Sequence, residues 1–190
     1  MGMARDSHGY QNRQENGFGV GMVARSDSQT QFIAEYRFKF PHPWNRPITT
    51  VAAGHLTLDV RVNGGNFDAE YVGAFDGTDL VAVMNTWGPE GPLPYRHIGK
   101  TIVAPAYQGH GITRQIIEWW VTSRNECLAS DENQTHDGAR VWESMIMRAP
   151  RLRFYLWHPD GTEIELIVDE GRIVPDPWSD PHTRLLARPR

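Results

Sequence analysis

The sequence contains a single cysteine, Cys127, so no internal disulfide can form and a disulfide-stapled secreted scaffold is excluded. It also lacks any run near the roughly 18 consecutive apolar residues that a membrane-spanning helix needs. The N-terminal stretch MGMARDSHGYQNRQENG is polar and has no apolar segment of the kind found in signal peptides. We therefore expect a cytosolic protein with no membrane attachment.

The sequence also has only a small excess of acidic over basic residues. The formal net charge of −4 over 190 residues argues against a protein whose whole surface grips a phosphate backbone. The eight histidines show no HxxxH or HxH spacing, so no metal site is expected. A hydrophobic content of 39% suits one globular domain, because the chain is too short for two domains of ordinary size.

Composition divides the chain into three segments. Residues 1–30 are polar and aperiodic, and we expect a flexible N-terminal arm there. Residues 31–170 hold the periodic segments and are interpreted as a single domain. Residues 171–190 are broken by prolines and carry several arginines, so we expect a tail that packs loosely or not at all.

Hydrophobic alternation in the central segment predicts strands, and turn residues predict hairpins. The predicted strands are QFIAEYRFKF, HLTLDVRV, AEYVGAF, DLVAVMNTW, RHIGKTIV, CLAS, RLRFYLW and TEIELIV. Asp76-Gly77-Thr78 predicts a hairpin between the third and fourth, and His158-Pro159-Asp160-Gly161 predicts one between the last two. Apolar residues at helical spacing predict a helix from about Gly111 to Ser123 and a second one, capped by Asp137, before Pro150.

The turn between the strand ending at Val103 and the first helix contains two glycines around a histidine. Strand, glycine-rich turn and helix recur where proteins hold a pyrophosphate, since a helix start offers unpaired N–H groups and the positive end of the helix dipole. The turn lacks the lysine of a P-loop and the third glycine of a dinucleotide-binding fingerprint, so both of those motifs fail.

A third motif does match. The run Gln108-Gly109-His110-Gly111-Ile112-Thr113, with V-x-P-x-Y at 103–107 before it, resembles the Q/R-x-x-G-x-G/A signature of the Gcn5-related N-acetyltransferase (GNAT) superfamily. The order of elements from about residue 69 onward is similar to that fold. The resemblance implies an α/β (α+β) domain whose mainly antiparallel sheet is flanked by helices, with parallel strands that splay apart at the cofactor site. The run SDENQT at 130–135, ahead of GARVWE at 138–143, resembles phage-encoded members, which would act in the host cytoplasm.

The resemblance implies an acyl-CoA-dependent N-acetyltransferase that moves acetyl from acetyl-CoA to a primary amine by direct attack. Acetyl-CoA would lie where the strand ending at Val103 splays from the one near Leu128. The residues implied in cofactor binding are Ile102, Val103, Gln108, Gly109, His110, Gly111, Ile112 and Thr113. A base must help to deprotonate the amine, whose pKa is near roughly 10. The catalytic candidates are Asp131, Glu132 and His97 for this proton, and Tyr155 for the proton of the leaving thiolate.

Three features depart from the family pattern. Thr113 replaces the usual final glycine or alanine and adds a branched side chain near the phosphates. Trp142 stands where the family often carries a proton-donating tyrosine, so either Tyr155 or Tyr107 serves or the thiolate leaves unaided. The proline-rich stretch 41–54 leaves little room for the two helices that the family places there, which implies a reduced or rearranged acceptor wall.

Two other functions stay open. The same fold could modify a nucleic acid base, with phosphate contacts from arginines, namely Arg114, Arg140, Arg148, Arg151 and Arg153. Alternatively, the departures at Thr113 and Trp142 would suit a non-catalytic protein that keeps the scaffold for binding. The sequence does not decide whether the acceptor is a small molecule, a protein or a nucleic acid base, nor whether the protein is a monomer or a homodimer.

Overall fold

The computed structural model describes residues 44, 47–64, 68–131, 134–180 and 182–190. The predicted arm at 1–30 and the predicted strand at 31–40 lie outside these residues. The elements in chain order are β1 Thr49–Ala53, β2 Leu56–Gly64, β3 Glu70–Asp76, β4 Asp79–Trp87, β5 Arg96–Val103, a 3₁₀ turn Pro105–Tyr107, α1 Ile112–Arg124, β6 Leu128–Ala129, α2 His136–Arg148, β7 Leu152–Trp157, β8 Glu163–Asp169, β9 Arg172–Val174 and β10 Arg184–Pro189.

The strands lie side by side in the order β1-β2-β3-β4-β5-β6-β10-β7-β8-β9. Neighbouring strands pair antiparallel, except that β5 and β6 are parallel. Both helices contribute to the main core with residues of nearly every strand, so they cover one face of the sheet. The predicted fold class is therefore confirmed: an α+β domain with a mainly antiparallel sheet and one parallel pair.

Local sequence signals account for much of this architecture. The predicted hairpin between β3 and β4 is confirmed, and it turns at Gly77, whose φ of 58° favours glycine. Residues 49–53 form the short strand β1, which turns directly into β2. Residues 47–54 thus hold a strand and its turn, while most of the proline-rich stretch before them lies outside the described residues.

The two helices form where apolar periodicity predicts them. The residues of α1 that are buried follow one helical face and are Ile112, Ile116, Ile117, Trp120 and Val121. The predicted cap of α2 is wrong by two positions, because the Thr135 hydroxyl, not Asp137, accepts the N–H of Gly138 at 3.1 Å. Asp137 lies in the first turn, where its charge still favours the helix dipole. No helix in the described part of the chain is both long and apolar enough to cross a bilayer.

The C-terminal segment differs most from the expectation. Arg184–Pro189 is a strand inserted between β6 and β7, so the expected loose tail at 171–190 is wrong. Leu185, Leu186 and Ala187 are at most 2% exposed, because this strand is covered on both faces. Their burial contributes the apolar area that holds the strand in place.

Replacing Leu186 with alanine should therefore destabilise the protein by about 2–5 kcal/mol, the cost of a cavity in a packed core. The control is Ile167→Ala on β8, where the side chain is 55% exposed, and it should cost less than about 1 kcal/mol. Urea unfolding of both variants measures the difference. Equal free energies of unfolding in the two variants would contradict an integral C-terminal strand.

Candidate active site at the diverging strands

The parallel strands β5 and β6 pair at only two positions. Arg96 lies opposite Leu128 and His97 opposite Ala129. Immediately afterwards the N–H of Ser130 donates to the carbonyl of Leu185 on β10 at 2.8 Å. The chain after β6 therefore follows β10 and leaves β5, which produces the splayed opening expected of this fold.

The turn after β5 is held by its own side chains. The Gln108 amide donates to the carbonyl of Val103 at 3.1 Å, which fastens the turn to the end of the strand. Gly109 and Gly111 have φ values of 81° and 77°, in the left-handed region that favours glycine. The N–H of Gln115 bonds back to the carbonyl of Gly111 at 3.1 Å, so the amides before it are those that a helix start leaves without intrahelical partners.

The surface of this turn is bare backbone. A Cβ atom at Gly109 would meet nothing within 4 Å, and one at Gly111 would meet only the Arg114 guanidinium, 3.8 Å away at Nη2. The Nε of Arg114 is buried and has no hydrogen-bond partner among the described residues. Bare backbone at a positive helix end, beside a guanidinium whose Nε has no partner among the described residues, is chemistry that suits a phosphate group.

The side chains of the other residues implied in cofactor binding have different surroundings. Ile102 and Ile112 are at most 3% exposed and pack into the cores, so their side chains are structural and only their backbone could contact a ligand. His110 packs its ring edge-on against His55 at a centroid distance of 5.0 Å. Thr113 is half-buried in the first turn of α1, next to the open amides.

A cleft of about 540 Å³ lies beside the opening. Its lining residues are Asp68, Asn85, Trp87, Gly88, Pro89, Glu90, His97, Gly99, Lys100 and Asp131. Two catalytic candidates from the sequence, His97 and Asp131, thus meet in one cleft. Asp131 follows the carboxyl end of β6, where ligands are expected to collect, whereas His97 lies at the amino end of β5. Glu132 lies outside the described residues.

The tyrosine candidates lie elsewhere. Tyr155 does not line the cleft, and its ring instead faces the guanidinium of Arg188 at 5.0 Å. The Tyr107 hydroxyl donates to the Asp76 carboxylate at 2.9 Å, which raises the pKa of that tyrosine. Trp142 is 2% exposed and packs edge-on against Phe154, so that helix position offers no proton donor.

A β-bulge shapes the wall of the cleft. Asn85 pairs with Lys100 and Thr86 with Ile98, so Gly99 is the extra residue in β5. The Trp87 indole occupies the space above Gly99, where a Cβ atom would lie 2.6 Å from the indole Cδ1. Only glycine at this position lets the indole form the wall of the cleft.

His97 is buried at the back of the cleft. Its side chain is 8% exposed, and its Nε2 lies 3.5 Å from the exposed Glu90 carboxylate. Burial lowers the pKa of His97 and the charge of Arg184 lowers it further, while Glu90, Asp131 and the Gly88 carbonyl act in the opposite direction. The net pKa lies below the usual imidazole value, so His97 is mainly neutral near pH 7 and can accept a proton.

Several residues of the site were not found from the sequence. A polar Asn85 within the apolar run VAVMNTW and Gly99 inside a predicted strand are signals of a site and a bulge, respectively. Arg114 was interpreted only as a contact to nucleic acid phosphates. Glu90 and Asp68 lie in loops, where the sequence carries no such signal.

Other sites in the described residues are less developed. No group of three or more His, Cys, Asp or Glu side chains there could hold a metal ion. A second cleft of about 500 Å³ shares no lining residue with the first, and its basic residues are Arg148, Arg153 and Arg190. Two of the arginines considered as phosphate contacts therefore lie away from the diverging strands.

Comparison with solved structures gives neighbours of low sequence identity, two of which are described here. No protein-family model matches the chain, and a search of the curated proteins gives no match. A Bacillus subtilis acetyltransferase solved in complex with CoA is 12% identical, with a TM-score of 0.36, over 63% of this chain and 75% of that one. An IAA acetyltransferase from Bacillus cereus is 14% identical, with a TM-score of 0.37, over 65% and 79% of the two chains.

The lowered pKa of His97 has a consequence for stability. Below about pH 6.5 the unfolded chain binds a proton at this histidine more readily than the folded protein does. The free energy of unfolding therefore decreases as the pH is lowered. In His97→Gln this part of the pH dependence should disappear. Thermal melts from pH 7.5 to 5.5 measure how the melting temperature depends on pH. The same dependence in the parent and the variant would show that His97 is not responsible.

Proposed function

We propose that the protein is an acyl-CoA-dependent N-acyltransferase that transfers acetyl from acetyl-CoA to a primary amine. One observation carries the proposal: a bare glycine turn at a helix start follows the strand that diverges from β6, and the cleft with His97 and Asp131 lies along the same strand. Val103 before the turn lies four residue steps beyond Gly99 in the cleft, a distance of about 13 Å along a strand. A long ligand with a phosphate at one end and a reactive group at the other suits this arrangement.

The chain's residues fit such a ligand at both ends. The amides of Gly109, Gly111 and Thr113 would hold the pyrophosphate, and Arg114, whose Nε has no hydrogen-bond partner among the described residues, would add a further donor. The β6-facing edge of β5 beyond His97 has no strand partner among the described residues, so an extended arm of the ligand can lie along it. The side chain of Gln108 supports the turn from behind rather than contacting the ligand.

When bound, acetyl-CoA supplies an acyl group activated as a thioester. The amine nitrogen of the acceptor forms a bond to the carbonyl carbon, and the carbon–sulfur bond breaks. The products are the amide and the CoA thiolate. Because the amine is an ammonium ion near pH 7, its nitrogen must lose one proton before it attacks and a second one, to solvent, as the amide forms. Asp131 orients the amine, and the neutral imidazole of His97 receives the proton directly or through water. The thiolate takes its proton from water, because no tyrosine is among the described residues that line the cleft.

Thr113 tests the phosphate end of the site. An aspartate here stabilises the helix start by about 0.3–1 kcal/mol through the helix dipole, but it repels a pyrophosphate. We expect Thr113→Asp to bind CoA at least about tenfold more weakly than the similarly sized Thr113→Asn, with an equal or higher melting temperature. Calorimetric titration with CoA and thermal melts measure the two effects.

The same titration tests the proposed function itself. Parent protein that gives no heat with millimolar CoA, alongside a responsive control acetyltransferase, would sink the acyltransferase proposal. Equal CoA affinities in the aspartate and asparagine variants would instead place the phosphates away from the helix start.

Asp131 tests the reacting end of the site. We expect Asp131→Asn to keep its CoA affinity within about threefold but to lower acyl transfer at least about tenfold, near the low end of general acid–base contributions. Release of the CoA thiol with an amine acceptor measures the rate. The control is Asp169→Asn at the exposed end of β8, which should leave the rate unchanged. Equal turnover by Asp131→Asn and the parent would remove Asp131 from the mechanism and leave His97 and Glu132 as candidates.

A further inference from the structure

The cleft at the diverging strands is lined mainly by groups that accept hydrogen bonds. Three carboxylates line it, those of Asp68, Glu90 and Asp131, against one exposed ammonium, Lys100. Arg184 lies close enough behind the cleft to act on His97, so part of the negative charge near β6 is balanced. Asp68 and Glu90, which are both exposed, make the cleft rim negative.

Asn85 supplies an independent sign of a ligand. It is 8% exposed, it lines the cleft, and its Oδ1 is buried without a hydrogen-bond partner among the described residues. A buried acceptor left unpaired bears its full desolvation cost, so such atoms call for a partner. A ligand that donates hydrogen bonds into the cleft would supply one.

The main chain of the two rim residues, Asp68 and Glu90, is held by hydrogen bonds. The Arg96 guanidinium donates to the main-chain carbonyl of Asp68 at 2.7 Å, and the Asp68 carboxylate makes no hydrogen bond or ion pair with another described residue. The loop that carries Glu90 is anchored by Leu93, which is 1% exposed and whose N–H donates to the Glu90 carbonyl at 3.1 Å. The main chain at both residues is therefore fixed before a ligand arrives, while the Glu90 side chain is 75% exposed.

The remaining wall favours a cation as well. The Trp87 indole, fixed above Gly99, is 38% exposed and offers the aromatic surface to which an ammonium group is attracted. The volume of about 540 Å³ lies within the range of small-molecule sites. The cleft thus suits a short, flexible ligand better than a folded one.

We propose that this cleft binds a small aliphatic diamine or polyamine, with one amine beside His97 and Asp131 and a second, charged amine at Asp68 and Glu90. Asn85 Oδ1 accepts a hydrogen bond from the amine that reacts. The assignment of the first amine as the acyl acceptor rests on the proposed acyl transfer. The second charge is the specificity element, because a neutral or anionic amine would leave the rim carboxylates unpaired.

Calorimetric titration of the full chain with 1,4-diaminobutane and with 1-aminobutane tests the proposal without any acyl donor. The diamine should bind at least about tenfold more tightly than the monoamine at low salt, and the difference should shrink at 0.5 M NaCl because the rim charges are screened. Equal affinities for the two amines, or no heat with either at millimolar concentration, would overturn the proposal.

Three variants locate the bound diamine. Glu90→Gln should weaken diamine binding about threefold with little effect on binding of the monoamine. Glu165→Gln, an equal loss of charge at an exposed position of β8, should change the binding of neither amine.

Asn85→Leu should weaken the binding of both amines at least about fivefold. The melting temperature should stay level or rise, because an unpaired acceptor is replaced by an apolar group of similar size. A lower melting temperature with unchanged amine affinity in Asn85→Leu would make Asn85 merely structural and overturn its assignment.

CoA titrated into the same samples separates the two proposals. CoA binding without a diamine preference removes this inference and leaves the acyltransferase proposal standing. Diamine binding without CoA binding keeps the cleft assignment and removes the acyl transfer.

Discussion

The hydrogen bond from the Ser130 N–H to the Leu185 carbonyl decides the shape of the site. A two-residue strand such as β6 cannot hold its place alone, and β5 offers it only two paired positions. The insertion of β10 on the other side gives β6 a second partner, and the chain continues along that partner after Ala129. The Ser130 hydroxyl reinforces this choice by accepting the N–H of Leu185 at 3.1 Å. The gap between β5 and the chain after β6 is thus a consequence of where the C-terminal strand lies.

Arg188 closes the other end of the same three strands. It donates to the Glu163 carboxylate at 2.6 Å and to the Tyr95 hydroxyl at 2.7 Å, and its Nε lies 3.0 Å from the sulfur of Cys127. Tyr95 in turn donates to Glu163 at 2.6 Å, which raises the pKa of the tyrosine. These contacts join the segment before β5, the segment before β6 and strand β8 to one residue of β10. Because a half-buried ion pair that loses one partner leaves the other poorly solvated, the network favours a single arrangement of these strands. The strands are therefore held together at one end and diverge at the other.

Local signals predicted the elements whose contacts are close in sequence. The β3–β4 hairpin follows from its Asp-Gly turn, and α1 follows from an apolar face at helical spacing. Strand β10 gave no such signal, because three consecutive buried residues between arginines show no alternation, and its partners lie between 27 and 59 residues away in sequence. The position of Asp131 followed from the rule that sites gather beyond strand ends. The bulge at Gly99 and the burial of Asn85 depend on the register of β4 against β5, which the sequence of either strand alone does not determine.

The unsatisfied groups along β5 have a polarity that matches two different ligands. Near the carboxyl end of the strand, the buried Arg114 Nε is a donor beside open amides, and such a site is completed by an anion. Near its amino end, Asn85 Oδ1 is an acceptor among carboxylates, and such a site is completed by a cationic donor. Each unpaired polar atom costs free energy in the ligand-free protein, and a ligand that pairs with Arg114 Nε of α1 or with Asn85 Oδ1 of β4 would remove that cost. The opposite character of the two ends of β5 therefore argues for a strand that lies between an anionic and a cationic ligand. The neutral imidazole of His97 lies at the end that suits the cationic ligand. In the proposed reaction, the amine must lose a proton there before it can attack.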